Sequence, residues 1–273
     1  VSRAKELILK AKKSIFSDKI GNNPSIFKGE GYDFVELREY QLGDDIRKID
    51  WNITAKLHQP YIKLFQEERE LNIVAVSILT GSTYFGSQRF KQDLIAEIVS
   101  ILGVSAIRNM DMFSSFIFAD DIFHYFRPSK SIHAVQKGVE SVIQFNPLNR
   151  SLNREFLIRT LLQKVKRKSL IFIISDFYHP LELKYLAKRN EVVAIVVRDQ
   201  IEEFPPKFGF ATLIDSESGK RVDGNFSYNQ TYIQNIQKHD RELFQNFRKF
   251  GIRYLKIYTH QTPLRELKKF FSY

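Results

Sequence analysis

Residues 71–79, Leu-Asn-Ile-Val-Ala-Val-Ser-Ile-Leu, leave this chain few architectures to choose from. A near-continuous apolar run of this kind reads as a strand buried on both faces of a mostly parallel sheet. The chain then turns abruptly to hydroxyls and glycines, at Thr80, Gly81, Ser82, Gly86 and Ser87. Open α/β sheets bind ligands in the crevice beyond the carboxyl ends of their strands. A hydroxyl-rich loop at that place is either part of such a site or a turn whose Ser and Thr cap the next helix.

The rest of the chain continues an alternation of strands and helices. Helical periodicity covers 88–109 through Phe90, Leu94, Ile95, Ile98, Ile101 and Leu102. Residues 113–119 and 122–126 read as short strands around Asp120-Asp121, followed by helices over 131–145 and 153–165 with Pro147, Asn149 and Ser151 between them. A second apolar strand over 169–175 ends at Asp176, a helix covers 180–188, and a third buried strand covers 192–197. A hairpin joins 210–214 to Arg221-Val222, and a helix over 232–250, a strand over 252–258 and a helix over 263–271 follow. This order predicts an α/β fold with a doubly wound, Rossmann-like sheet over residues 71–273.

Residues 1–70 read as a separate first domain, an N-terminal helix and a β-subdomain. Over 3–16, Ala4, Leu7, Ile8, Ala11 and Ile15 share one helical face and the lysines the other. Such a basic amphipathic helix either packs on the domain or lies on a membrane. Leu42-Gly43-Asp44-Asp45 is turn chemistry. Ile49, Trp51, Ile53, Ala55 and Leu57 alternate with polar residues, which predicts a half-buried strand. Its hairpin partner is expected at 61–65, with Trp51 buried beneath the 29–65 block.

The net charge is +11, and 24 of the 273 residues are phenylalanine. The basic residues are spread along the chain with no nucleic-acid-reading motif, so specific nucleic-acid recognition is not expected. Cysteine is absent, which excludes disulfides and thiolate metal sites and suits a reducing cytoplasm. No apolar run reaches the length of a membrane span, and the first residues, starting at Val1, do not read as a signal peptide.

Thr80 and Ser82 follow the first buried strand and Asp176 follows the second. If those strands are neighbours, the three side chains share one crevice and offer the oxygen ligands that a hard cation such as Mg²⁺ takes. The same residues also serve as ordinary caps. Asp44, Asp45 and Asp50 either hold a metal or cap turns and pair with Arg38, Arg47 and Lys48. Walker-type phosphate loops, nucleophile elbows and His-x-x-x-His spacing are all absent, which disfavours a kinase, an ATPase or an esterase.

Gly29-Glu30-Gly31-Tyr32-Asp33-Phe34, Arg38-Glu39-Tyr40, Gly43-Asp44-Asp45, Arg47 and Ile49-Asp50-Trp51 resemble the signature of the domain of unknown function 58 family. Pro60-Tyr61-Ile62-Lys63, Glu67-Glu68-Arg69-Glu70, Phe118-Ala119-Asp120, Ser175-Asp176-Phe177 and Arg198-Asp199 continue the resemblance. The resemblance implies a bacterial, von Willebrand factor A-like protein, commonly encoded beside a MoxR-type AAA+ ATPase. It also implies a metal-ion-dependent adhesion site, similar to Asp-x-Ser-x-Ser after the first strand, with a hydroxyl and an Asp from two further loops. Those positions here are Ile78, Thr80, Ser82, Ser151 and Asp176. With Ile78 where the first carboxylate belongs, the site reads as degenerate, and no cofactor is expected beyond weakly bound Mg²⁺.

The resulting expectation is a cytoplasmic, non-enzymatic, chaperone-like adaptor or scaffold. It would work with a MoxR-type AAA+ ATPase on client proteins, some of them at the membrane, in complex assembly or maturation. Its expected binding residues are Thr80, Ser82, Tyr84, Ser151 and Asp176, with Tyr84 at the exposed loop tip. The alternative is a metal-dependent hydrolase or nuclease using Asp44, Asp45 or Asp176.

Overall fold

Helix α1 (Arg3–Ser17) forms where its apolar stripe predicts, and Ala4, Ile8, Ala11 and Ile15 are all buried. In the computed structural model, which describes residues 2–17, 36–64, 70–206, 209–225 and 230–272, that stripe joins the main hydrophobic core. Arg3 pairs with Asp93 at 2.8 Å and Lys10 with Glu97 at 2.7 Å, so the polar face is fastened as well. A membrane-surface role for α1 required a detached, exposed helix; the buried stripe removes it. The chain forms two compact units, Val1–Phe27 with Leu71–Tyr273, and Lys28–Glu70. The expected boundary at 70 grouped α1 with the motif block, whereas its packing places it with the sheet.

In the smaller unit β1 (Glu36–Glu39) leads through a turn and a short 3-10 segment to α2 (Trp51–Leu57) and β2 (Tyr61–Leu64). β1 and β2 pair antiparallel, from Glu36 opposite Leu64 to Glu39 opposite Tyr61. The predicted strand over 49–57 is therefore a helix, and β2 pairs with β1 instead. The cause is local: Asp50 Oδ1 accepts from the amides of Asn52 (2.9 Å) and Ile53 (3.2 Å), a helix N-cap, and His58 closes the helix in the left-handed region. Period-two alternation needs a buried face to enforce it. α2 has no buried residue and Trp51 is 67% exposed, the reverse of the burial expected for it. Residues 28–35 and 65–69 of the signature lie outside the described residues.

The larger unit continues with β3 (Asn72–Ile78), α3 (Lys91–Arg108), β4 (Met112–Ala119), β5 (Ile122–Ser129), α4 (Ile132–Gln144) and α5 (Arg154–Lys164). β6 (Leu170–Ser175), α6 (Lys184–Ala187), β7 (Glu191–Arg198), α7 (Gln200–Glu203), β8 (Phe210–Ile214) and β9 (Arg221–Asn225) follow. α8 (Gln230–Lys249), β10 (Arg253–Tyr258) and α9 (Pro263–Phe271) complete it. α6 is one turn where 180–188 was expected, and α7 was not expected. β8 and β9 form the anticipated hairpin.

The main sheet has the order β10-β7-β6-β3-β4-β5. All neighbours are parallel except β4 with β5. The chain starts at the central strand β3, steps outward to β4 and β5, then returns to β6 on the other side. This is a Rossmann-like order, and the reversal puts a topological switch point between β3 and β6.

Strand alternation divides β3 between two layers. Ile73, Ala75 and Leu79 enter the core with α1, α3, α4 and α9, while Val74, Val76 and Ile78 enter the one with α5, α6 and α8. Each such fully buried Val, Leu or Ile side chain is worth about 1.5–3 kcal/mol. That burial on both faces is why 71–79 is apolar almost throughout.

Candidate functional site

The loop after β3 is bound at several points along the carboxyl edge of the sheet. Gly81 donates its amide to the Arg150 carbonyl at 2.9 Å. Ser82 Oγ donates to Asp176 Oδ2 at 2.6 Å, and Thr80 Oγ1 lies 2.8 Å from Ser82 Oγ. Farther along, Ser87 donates to Asp199 Oδ2 through its amide (2.8 Å) and hydroxyl (3.0 Å). Arg89 then reaches the carbonyls of Thr259 and Gln261, each at 2.6 Å. One loop thus ties together the ends of β3, β6, β7 and β10. Gly81 is required here: a Cβ would stand 2.0 Å from the Ser216 carbonyl oxygen.

Beneath this loop lies a buried ionic cluster. Lys91, the first residue of α3, has no solvent exposure. Its ammonium donates to Asp176 Oδ2 at 2.9 Å and Glu202 Oε1 at 2.6 Å, and lies 5.1 Å from the Tyr178 ring centre. Glu202 also accepts the Asp199 amide at 2.9 Å, within a capping box that builds α7. The Arg198 guanidinium stacks on Tyr178 at 3.9 Å and donates to Asp240 at 3.0 Å. Lys256 joins Asp240 (2.5 Å) to Glu203 (2.7 Å).

The environment separates the two acids that hold Lys91. Burial pushes the Asp176 carboxyl up, but Lys91, the Ser82 hydroxyl and Arg198 outweigh it and hold the group below its ordinary value. For Glu202 burial prevails over Lys91 and holds its carboxyl above its ordinary value. Immediately after Asp176 the backbone of Phe177 turns left-handed, with φ 54°. A bulky residue there carries strain, sustained by burial of its ring against Phe247 at 5.3 Å.

Of the residues expected at the site, Thr80, Ser82 and Asp176 converge in one hydrogen-bonded chain. Ser151 is next to Arg150 on the adjoining loop, but its hydroxyl bonds Asp120 Oδ1 at 3.2 Å. Tyr84 is 42% exposed and stacks on Phe90 with ring centres 4.4 Å apart. Asp44 pairs with Arg38 at 2.7 Å, Asp45 bonds Arg47, and Asp50 caps α2, which matches the capping reading of these acids. Lys91, Glu202 and Arg198 escaped the sequence reading as site residues. A signal for Glu202 was present, since Asp199-Gln-Ile-Glu202 after an apolar strand is capping-box spacing.

These residues do not fit the divalent ion that an adhesion site implies. Ile78 is buried on the α5 and α8 side with Phe116, Phe118 and Phe177, where it offers no oxygen. The Asp176 oxygen facing Ser82 already carries the Lys91 ammonium.

The chain matches the family described as "Protein of unknown function DUF58" over residues 36–242, most of its length. It belongs to the DUF58 family. The DUF58 chain is 26% identical over 264 residues to uncharacterized proteins of Mycobacterium bovis and Mycobacterium tuberculosis, covering 92% of this chain and 82% of each relative. Among solved structures it is similar to the PilB minor pilin of Streptococcus sanguinis, at 10% identity and TM-score 0.38, covering 78% of this chain and 62% of the pilin. It is also similar to an uncharacterized membrane-spanning protein of Vibrio fischeri, at 15% identity and TM-score 0.24, covering 73% and 96%. Likenesses this slight add nothing to the fold derived above. No helix among the described residues of the DUF58 chain is long and apolar enough to cross a membrane.

Proposed function

We propose that this DUF58 chain is a non-enzymatic, cytoplasmic adaptor that works with a MoxR-type AAA+ ATPase in the assembly or maturation of other protein complexes. In this reading the sheet is a von Willebrand A-type sheet, which the central β3 and the antiparallel edge strand β5 support. The docking surface is the crest made by residues 80–90, 149–151 and 176–179. The observation that carries the reading is the exposed Tyr84–Phe90 stack on a loop fixed by Ser82, Ser87 and Arg89. An aromatic anchor on a preordered loop loses little entropy on binding, which is the property of an interface hot spot. The alternative of a metal-dependent hydrolase or nuclease needs carboxylates free to take a cation, whereas Asp176 is engaged by Lys91. The net charge of +11 then favours encounter with acidic partner surfaces.

The test is capture of the cognate MoxR-type ATPase by a folded Tyr84→Ala variant. Loss of a hot-spot aromatic costs about 2 kcal/mol or more, so affinity should fall roughly 30-fold. Unchanged affinity in a variant with native stability would remove the crest as the docking surface.

A further inference from the structure

We propose that the Lys91 ammonium is the resident cation of the crest, a covalently tethered replacement for the dissociable ion that an adhesion site would hold. The placement is improbable on local grounds. Lysine is almost never fully buried unless paired. The first turn of a helix carries a partial positive charge that repels an ammonium group. Lys91 nevertheless begins α3 and is wholly buried, with carboxylates from two different segments closing on its Nζ at 2.9 and 2.6 Å. One comes from the loop after β6 and the other from α7 after β7. The hydroxyls of Ser82 and Thr80, from the loop after β3, extend the same oxygen shell through Asp176. Carboxylates backed by hydroxyls are the oxygen set that a hard cation gathers. Here an amine from the chain stands at its centre, and the face of Tyr178 completes the enclosure.

A tethered cation differs from a bound one in what it responds to. It cannot dissociate, so the loops at the ends of β3, β6 and β7 are joined whatever the free Mg²⁺ or Mn²⁺ concentration. The crest is then assembled constitutively and its docking surface is metal-independent. This assignment concerns what holds the crest and stands whichever partner docks there.

Thermal unfolding of the whole chain, with millimolar Mn²⁺ or with EDTA, tests it. The wild-type midpoint should be the same in both. Lys91→Ala removes the ammonium and leaves space beside Asp176 and Glu202, so it should melt lower in EDTA and regain at least about 3 °C in Mn²⁺. Lys91→Met fills that space with an apolar chain and should melt lower without any such recovery. If Lys91→Ala does not fold alone, recovery on refolding in Mn²⁺ supports the assignment and failure to recover overturns it. A wild-type protein stabilised by Mn²⁺ in a manner that Asp176→Asn abolishes would overturn it too. Amine acylation of the native wild type reads the same point without a variant. Lys91 should stay unmodified while the exposed Lys188 reacts, and equal labelling would count against the assignment.

Discussion

Asp176 receives the Ser82 hydroxyl and the Lys91 ammonium on one oxygen, inside a protein that gives it almost no access to water. Removing its charge leaves Lys91 short of a partner, and breaking a buried pair from one side costs about 3–5 kcal/mol. Asp176→Asn should show that loss in denaturant unfolding at neutral pH. The folded carboxyl titrates below its ordinary value, so its contribution is complete above the unfolded value of about 3.9 and is lost as pH falls through the lowered folded one. The stability gap between wild type and Asp176→Asn should therefore hold at mildly acid pH and narrow only in strong acid. Glu202 acts with the opposite sign: its raised carboxyl gives back stability as pH falls through the folded value toward the ordinary one. Little of this pairing was legible in the sequence. Asp176 stood out because it follows an apolar strand, but Lys91 and Glu202 are 111 positions apart and meet only through the fold.

At the scale of elements, the strands and helices of the larger unit were legible because burial enforces their periodicity. β3, β6 and β7 are covered on both faces and are apolar almost throughout, and α3 and α8 form where helices were expected. The smaller unit lacks that enforcement, and there the capping of Asp50 decided the conformation against the alternation of Ile49, Trp51, Ile53, Ala55 and Leu57. Asp50→Ala should consequently cost about 1 kcal/mol of local stability. Amide exchange over Trp51–Leu57 should quicken while β3 and β6 are unaffected. Equal protection of α2 in the variant would mean that something other than the cap holds the helix. The brevity of α6 was not legible, and the only sequence signal for α7 is the capping-box spacing of Asp199 and Glu202. One-turn helices have no periodicity to read, and α7 depends on a capping box whose Glu202 is also committed to Lys91.

For the whole molecule, the loop that leaves the first strand of the sheet is tied to the ends of three others, and the charges beneath it are paired within the chain. That arrangement presents Tyr84 and Phe90 on a hydrogen-bonded support, and the proposed docking at the crest rests on it. Hydrogen–deuterium exchange of the full chain, alone and with saturating cognate MoxR-type ATPase, tests that docking most directly. New protection is expected in residues 80–90 and 149–151, with the strands β8 and β9 unchanged. Protection confined to β8–β9 or to residues 36–64, with the crest exchanging as in the free protein, would contradict it.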